Sequence, residues 1–205
     1  MMADRGVRLR KMLKNDELAL PLRLLLKLGT LPVWLVKALA FIASFKDPFG
    51  ASILGCSVGF DSIPDFFDHV TLFQNWQEEF MEAWLGKRLD AVICPVFPSP
   101  APTRDVIHQV TPCGLYCQLY NSLNYPAGVI PVTTVNKEDL RKTFDENFFT
   151  ANSMIHKLLL KACQIFSEGI SVGVQCVALP FQEEMCLRVM RDLNKSLQEH
   201  RDYIG

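Results

Sequence analysis

The chain has 205 residues, of which 49% are hydrophobic and 21% charged, and its formal net charge is −1. This length and apolar content are sufficient for one substantial hydrophobic core. The near-neutral charge gives no global sign of a nucleic-acid partner, and none is predicted. The charge is uneven, however, because residues 1–50 carry nine Lys and Arg against four Asp and Glu. A basic, apolar first quarter before an acidic remainder is typical of a protein that contacts a membrane surface.

The seven cysteines do not form a recognisable disulfide framework, and their odd number favours a reducing compartment. Cys113 and Cys117, with His108 upstream, form part of a metal-site pattern, but no second pair completes it. Most of the cysteines lie in apolar segments, where a free thiol behaves as a small hydrophobic side chain. We therefore predict structural thiols, no metal site and no cofactor.

The most apolar stretch, residues 18–45, is interrupted by basic residues, prolines and a glycine. A spanning helix needs roughly 20 uninterrupted, mostly apolar residues, so we predict no span here. Acidic residues just before the stretch also make it a poor signal peptide. We predict two short helices, the first over about 17–28 and ending at Gly29, the second beginning near Pro32. The second helix is either an in-plane membrane anchor or a buried core helix, and the flanking basic residues favour the anchor.

Helices and strands alternate through the rest of the chain, which is an α/β pattern. The first helix of this region carries an aromatic stripe that includes Phe66, Phe73 and Trp84, and such a stripe predicts packing into a core. In chain order we predict an irregular connection over 46–64, a helix over 65–87, a strand over 89–95, a proline-rich loop over 96–102, a helix over 111–123, a strand over 129–135, a surface loop over 136–147, a helix over 148–167, a strand over 171–179 and a last helix from Pro180.

Two segments carry a family resemblance. Residues 119–135 read LYNSLNYPAGVIPVTTV, and residues 172–188 read VGVQCVALPFQEEMCLR. These segments resemble the signature segments of the amidase signature family, and their amino-acid sequences are similar to those of the animal fatty-acid amide hydrolases. Residues 89–95 resemble the strand that precedes these segments in that family, and residues 31–42 resemble its helix–turn–helix membrane cap. The resemblance covers about residues 20–200.

The resemblance implies an α/β fold, the C-terminal portion of the amidase signature fold. A few strands of a mixed sheet flanked by helices are expected, preceded by the apolar helix–turn–helix cap. The domain boundaries that follow are a basic N-terminal segment without resemblance over 1–17, the membrane-binding cap over 18–55 and the C-terminal part of the amidase domain over 56–205.

The same resemblance implies hydrolysis of long-chain fatty-acid amides to a fatty acid and an amine. In the family, a lysine and two serines act together, and the nucleophile lies in a Gly-Ser-Ser-Gly-Gly-like loop that also forms the oxyanion hole. The 205 residues contain no Ser-Ser pair, and the family's catalytic segment would precede Met1. No catalytic residue is therefore assigned. The four histidines show no partner spacing that suggests a base.

Two sets of binding residues follow from the resemblance, although ordinary core packing remains the alternative for each. The expected lipid-contacting residues are Trp34, Leu35, Leu39, Phe41, Ile42 and Phe45. The expected substrate-channel residues are Ile53, Tyr116, Gln118 and Phe181. Ile53 stands where the family has an aromatic residue at the channel mouth, Gln118 replaces an apolar residue, and Phe181 replaces a larger aromatic residue.

Three functional hypotheses remain open. The first is a truncated, membrane-associated amidase that is inactive alone. The second is a non-catalytic interaction protein that pairs with a full-length relative as a homo- or heterodimer, and the third is a complete enzyme with unrecognised chemistry. The expected partners are a lipid bilayer surface and, in the intact family, long-chain fatty-acid amides. We expect peripheral or monotopic association with an internal membrane, and marginal stability alone because three strands leave open edges.

Overall fold

The computed structural model describes residues 3–18, 20–56, 58–60, 62–110, 113–145, 148–149, 154–165 and 167–204. Within them the chain forms two compact units, Met1–Trp76 and Gln77–Gly205. The described helices and strands are α1 (Val7–Met12), α2 (Leu20–Leu28), α3 (Val33–Ser44), α4 (Pro48–Cys56), α5 (Ile63–Gly86), β1 (Val92–Pro95), α6 (Arg104–Val110), α7 (Leu115–Leu123), β2 (Ala127–Thr134), α8 (Lys137–Lys142), α9 (Met154–Gln164), β3 (Ser171–Val177) and α10 (Glu183–Ile204).

The first unit begins with α1 and α2, which are joined by a hydrogen bond from a side chain of α1 to the backbone of α2. Arg10 Nη1 donates to the carbonyl oxygen of Leu26 at 2.7 Å. Gly29 follows the end of α2, where a Cβ atom would overlap the carbonyl oxygen of Arg5, so only glycine permits this approach. The predicted turn at Gly29 and the start of α3 after Pro32 are both present.

Helix α4 corrects one prediction, because residues 46–64 were expected to be irregular. The sequence Asp47-Pro48 is a helix start. The Asp47 carboxylate accepts a hydrogen bond from the Gly50 backbone N–H at 3.0 Å, and proline fits the first helical position. Glycine and serine inside this segment do not prevent the helix, because α4 packs against α3 and this packing outweighs the local propensity.

Helix α5 begins at Ile63 and is preceded by Ser62, whose Oγ accepts a hydrogen bond from the Asp65 backbone N–H at 3.2 Å. The boundary between the two units falls within it, after Trp76. Its aromatic stripe was predicted to be core. That prediction holds at the C-terminal end, where Trp84 is 3% exposed, and is wrong for Phe66 and Phe73, which are each 38% exposed.

The second unit is built on a three-stranded sheet in the order β1-β3-β2, with both pairings antiparallel. The three predicted strands are present, but the sheet formed by the described strands is antiparallel and not mixed as predicted. The reason lies in the strand order. β1 and β2 run in the same direction, but β3 lies between them and runs the opposite way, so no parallel neighbours meet.

Helices cover the two faces of this sheet. On one face, Val177 packs in a cluster with Trp84, Tyr120, Leu123 and Tyr125 from α5, α7 and the segment before β2. On the other face, α10 lies over β2 and β3. There the approach is so close that a Cβ atom at Gly128 would overlap the side chain of Met190.

Two short helices, α6 and α8, were not predicted. α8 lies where the sequence suggested a surface loop, and a capping box starts it. Asp139 N donates to Asn136 Oδ1 at 2.8 Å, and Asn136 N donates to Asp139 Oδ2 at 3.1 Å. α6 packs against α9, and Val110, Cys113 and Ala162 form a third buried cluster around them.

Candidate functional site

The largest exposed apolar side chains of α3 and its C-terminal end lie together on one side of the helix. We call Trp34, Phe41, Ile42 and Phe45 the α3 surface, because spacings of three, four and seven residues place them on one side. They are 70%, 67%, 66% and 76% exposed. The rings of Phe41 and Phe45 also meet edge to face at 5.2 Å. The other two predicted lipid-contacting residues lie beside this surface, with Leu39 exposed and Leu35 half-buried.

The opposite side of α3 carries smaller side chains. Val36 is 1% exposed, and Ala40 and Ala43 are partly buried. A helix in a water-soluble core normally buries its largest apolar side chains and exposes small or polar ones. The arrangement in α3 is the reverse of this, so burial of the helix within the described unit does not explain its large side chains. Contiguous exposed apolar patches of this kind mark interaction surfaces.

Basic side chains adjoin the α3 surface. Arg5, Val33, Trp34 and Lys37 line an open groove of about 400 Å³. A tryptophan beside cationic side chains suits the boundary between lipid headgroups and acyl chains. Among the residues that the structure describes, no helix combines the length and apolar character needed to cross a bilayer.

The two predicted channel residues on α7 point away from each other. Tyr116 and Gln118 are both exposed, and two residues along a helix correspond to a rotation of roughly 200°. Tyr116 is on the same side as the buried Tyr120, one turn earlier, and is 41% exposed.

Phe181 is the most exposed large apolar residue among those described, at 90%. It lies in the turn between β3 and α10 with a backbone φ of 62°, in the left-handed region that bulky residues rarely adopt. The turn is fixed by the Gln182 N–H, which donates to Leu179 O at 3.1 Å. The fourth predicted channel residue, Ile53, belongs to α4, and its side chain lies outside the described residues.

The aromatic cluster of the second unit holds α5, α7 and the sheet in place. Trp84 Nε1 donates to Leu89 O at 2.6 Å, and the Trp84 and Tyr125 rings meet at 5.6 Å. Burial, followed by the neighbouring Cys94 thiol, raises the pKa of Tyr120 to about 12. Burial also raises the pKa of Tyr125. Among the described residues, no group forms a hydrogen bond with the buried Tyr125 hydroxyl.

Gln175 is a buried polar residue that sequence reasoning did not single out. It is 3% exposed, in the middle of β3, and its Nε2 donates to Pro95 O at 3.1 Å. This bond fastens the end of β1 to β3 where proline terminates the ladder. The sequence signal for this residue is a lone glutamine within the apolar segment VGVQCVAL. A glutamine in a buried strand needs a hydrogen-bond partner for its side-chain amide, so it indicates a specific contact.

Several cysteine and serine side chains among the described residues lie buried or bond to the backbone. Cys117 Sγ donates to Val96 O at 3.1 Å, and burial raises the pKa of Cys113. The buried Ser167 hydroxyl donates to the Cys163 carbonyl oxygen. No cluster of three or more metal-ligating side chains occurs among the described residues, and the side chain of His108 lies outside them.

A second open groove, of about 410 Å³, lies beside the end of β2 and was not predicted. Apolar residues such as Val135 and Phe149 dominate its lining, together with Asp139, Lys142 and the buried Ser167. The Ser167 hydroxyl in this groove donates to the backbone carbonyl oxygen of Cys163.

The comparison with protein families decides the relationship. The amidase family model matches residues 69–187, which is more than half of the chain. The chain belongs to the amidase family. The match includes α7, β2, β3 and the start of α10.

Three amidase relatives show the extent of the similarity. Fatty-acid amide hydrolase 1 of Sus scrofa is 33% identical over 202 residues, which are 98% of this chain and 34% of the relative. Fatty acid amide hydrolase 1 of Caenorhabditis elegans is 31% identical over 185 residues, 90% of this chain and 31% of the relative. Acetamidase of Emericella nidulans is 27% identical over 129 residues, 60% of this chain and 22% of the relative.

These similarities confirm the resemblance to fatty-acid amide hydrolases within the amidase family. The chain spans about a third of the length of the fatty-acid amide hydrolases that it matches. The amidase family model does not reach α3. The alignment with the Sus scrofa relative covers 98% of this chain and therefore includes α3.

Proposed function

We propose that this chain forms the C-terminal part of a membrane-associated amidase that hydrolyses long-chain fatty-acid amides. One observation carries the proposal. This chain is 33% identical to a fatty-acid amide hydrolase. It exposes Trp34, Phe41 and Phe45 to solvent on a helix whose small side chains are the buried ones. Long acyl substrates partition into bilayers, so an enzyme for them benefits from a surface that docks on lipid.

In this proposal, α3 lies in the plane of one leaflet. The aromatic side chains of the α3 surface insert among the acyl chains, while Arg5 and Lys37 stay at headgroup depth, where anionic lipids attract cations. The association is peripheral or monotopic and occurs on an internal membrane. The apolar insertion gives affinity, and the cations give orientation.

The second unit contributes substrate-binding surface and no nucleophile. Tyr116 and Phe181 are exposed aromatic residues, suited to line an apolar passage once another polypeptide covers them. Gln118, polar and on the other side of α7, is the channel assignment that the geometry supports least. The 205 residues contain no Ser-Ser pair, and Ser167 is bonded to a carbonyl, so we propose that they are inactive alone.

A second candidate function is that of a non-catalytic protein that pairs with a full-length relative at the membrane. The observation that favours it is the three-stranded sheet, since among the described strands β1 and β2 each pair on one side, with β3. Both candidates require lipid binding, and they differ in what covers the second unit.

Labelling with a fluorophosphonate probe, beside a long-chain amide hydrolysis assay, tests the catalytic part. We expect no labelled serine and no turnover by the 205-residue chain, with a catalytically complete fatty-acid amide hydrolase as positive control. Stoichiometric labelling at one serine contradicts the proposal, because it requires a nucleophile within these residues. Flotation with lipid vesicles tests the membrane part, and a chain that stays with the buffer fraction contradicts it.

A further inference from the structure

Thr30 lies in the short turn that joins α2 to α3, and it is exposed. Its Oγ1 donates to the carbonyl oxygen of Lys27 at 2.7 Å, and its backbone N–H donates to the same oxygen at 3.0 Å. The Thr30 side chain therefore caps the end of α2 through one local hydrogen bond. An exposed hydroxyl group in a surface connection is accessible to a modifying enzyme.

Cationic groups lie around this turn. A Cβ atom at Gly29, next to Thr30, would overlap the carbonyl oxygen of Arg5 and would lie 3.5 Å from Nη1 of Arg10. The backbone of Arg5 and the guanidinium group of Arg10 therefore lie beside the turn. Lys27, three positions before Thr30, is exposed as well. Thr30 is thus an exposed hydroxyl-bearing residue in a basic environment.

The sequence around the turn has only basic charges. Between Glu17 and Asp47 there is no acidic residue, whereas four basic residues lie in the same interval: Arg23, Lys27, Lys37 and Lys46. The Asp47 carboxylate accepts a hydrogen bond from the Gly50 backbone N–H at 3.0 Å, at the start of α4. The carboxylate of Asp4, beside Arg5, accepts the Gly6 backbone N–H at 2.9 Å, at the start of α1. These two carboxylates are therefore held at helix starts.

The basic turn adjoins the α3 surface. Arg5 lies beside Gly29 through its backbone, and it also lines the open groove of about 400 Å³ with Trp34 and Lys37. The turn and the α3 surface consequently belong to one basic and apolar region of the first unit. A charge added at Thr30 acts on the region that contacts lipid in the proposed function.

We propose that Thr30 is a phosphorylation site and that its phosphorylation weakens the binding of this chain to anionic membranes. A protein kinase that selects basic residues before the acceptor recognises Lys27 and transfers the γ-phosphoryl group of ATP to Thr30 Oγ1. The bond from the γ-phosphorus to the oxygen of ADP breaks, the bond to Oγ1 forms, and the hydroxyl proton passes to a base of the kinase. This inference rests on the proposed function, because it regulates the same surface.

The phosphate changes the turn in two ways. Phosphorylated Oγ1 has no proton, so its bond to the Lys27 carbonyl oxygen is lost, and a negative charge arrives at the C-terminal end of α2, where the helix dipole disfavours it. The phosphate also offsets about two of the surrounding cations. One cation beside an anionic leaflet strengthens binding by roughly fivefold, so we expect binding to weaken by about 25-fold.

The first test is labelling of the folded 205-residue chain with radiolabelled ATP. The enzymes are the catalytic subunit of cyclic-AMP-dependent protein kinase and, separately, a calmodulin-dependent protein kinase, since both select basic residues before the acceptor. We expect stoichiometric labelling, located at Thr30 by peptide mapping and absent from Thr30→Val. The proposal is overturned if neither kinase phosphorylates Thr30.

The second test is sedimentation with two kinds of vesicle, phosphatidylcholine alone and phosphatidylcholine with phosphatidylserine. On the anionic vesicles we expect Thr30→Glu, which adds one charge, to bind about fivefold more weakly, and the phosphorylated chain about 25-fold more weakly. On phosphatidylcholine alone we expect little change, because insertion of the apolar α3 surface does not depend on this charge. Added salt should reduce the difference on anionic vesicles.

Thr71 provides a matched control within the first unit. It is exposed on α5, its Oγ1 donates to Phe67 O at 3.1 Å, and Asp68 stands three positions before it where Thr30 has a lysine. We expect Thr71→Glu to leave binding to anionic vesicles unchanged. Equal losses for Thr71→Glu and Thr30→Glu overturn the proposal, because they assign the effect to net charge alone. An equal loss for Thr30→Gln also overturns it, because that variant removes the hydroxyl bond without adding charge.

The outcome is separable from the proposed function. A parent chain that binds both kinds of vesicle, with Thr30→Glu binding as tightly as the parent, loses only this inference. A parent chain that binds neither kind of vesicle loses the membrane proposal and the regulation that rests on it, whereas labelling at Thr30 is decided by the kinase assay.

Discussion

Replacing both Phe41 and Phe45 by alanine tests the membrane proposal most directly. Their rings are 67% and 76% exposed and contact each other at 5.2 Å, so the substitution removes apolar surface without opening the helix core at Val36. We expect the double variant to remain folded and to lose most of its affinity for lipid vesicles.

The magnitude follows from the exposed area. A phenylalanine presents roughly 200 Å² when fully exposed, and transfer from water gains about 25 cal/mol per Å². At the observed exposures, full insertion yields about 3.4 kcal/mol for Phe41 and about 3.8 kcal/mol for Phe45, so the pair yields about 7 kcal/mol as an upper limit. Insertion to half depth gives about 3.5 kcal/mol, which corresponds to about 400-fold weaker partitioning.

The second unit offers a matched control. Phe148 and Phe149 also form an exposed ring pair, with centroids 5.2 Å apart and exposures of 61% and 47%. Sedimentation with sucrose-loaded phosphatidylcholine vesicles gives the partition coefficient of each double alanine variant. Equal losses for the two variants refute the assignment of α3 as the lipid-binding helix, and so does an unchanged coefficient for the Phe41/Phe45 variant.

Three further predictions concern the second unit. Tyr125→Phe removes a buried hydroxyl that has no hydrogen-bond partner among the described residues, so we expect the free energy of unfolding in urea to rise by about 1 kcal/mol. Tyr120→Phe, which removes the acceptor of the Cys94 thiol, should not give this gain, and equal gains contradict the reasoning. The pKa of Tyr120 lies at about 12 in the folded chain against an ordinary 10.0, so its protonated form stabilises the fold fully below pH 10, and this stabilisation is lost as the pH rises from 10 towards 12. Thermal midpoints over that range should fall less steeply in Tyr120→Phe than in the parent, and parallel curves contradict the prediction. Cys176 and Cys186 are buried, and burial raises the pKa of both thiols. Iodoacetamide should therefore modify these two thiols only as the chain unfolds, and it should modify the partly exposed Cys117 before them. Peptide mass mapping over the time course of the reaction measures this order.

The strands were predictable because their sequences are short apolar segments bounded by proline or glycine. β1, β2 and β3 each lie within three residues of the predicted ends. The antiparallel pairing was not predictable, because a strand's own residues do not reveal which neighbour lies between two others. Only the order β1-β3-β2 shows that the two strands running in one direction are separated by the third.

Helix starts were predictable where a side chain caps the backbone and were still overlooked in two places. Asp47-Pro48 and the Asn136–Asp139 capping box are both sequence-level signals, and both fell in segments that composition alone favoured as irregular. A segment rich in Gly and Ser has only a weak preference against forming a helix. A specific cap satisfies backbone N–H groups that otherwise remain unbonded, and it therefore predicts better.

The candidate site was predictable only as far as it depends on one helix. The spacing of Trp34, Phe41 and Phe45 places them on one side of α3 by helix geometry alone, and the family resemblance suggested what that side contacts. The channel residues depend on tertiary placement. Tyr116 and Gln118, two positions apart, diverge on α7, so an assignment made residue by residue did not reveal that they face different surroundings.

Phe181 connects the local strain of the second unit to its open surfaces. A bulky residue in the left-handed region costs about 1 kcal/mol or more, and a 90% exposed aromatic ring gains nothing in water to offset this. The hydrogen bond from the Gln182 N–H to Leu179 O holds the turn in this conformation, and the nearby turn residues do not bury the ring. The uncovered Phe181 ring and the exposed Val129 leave apolar surface on the second unit, and we propose that the stability of this unit depends on a further polypeptide.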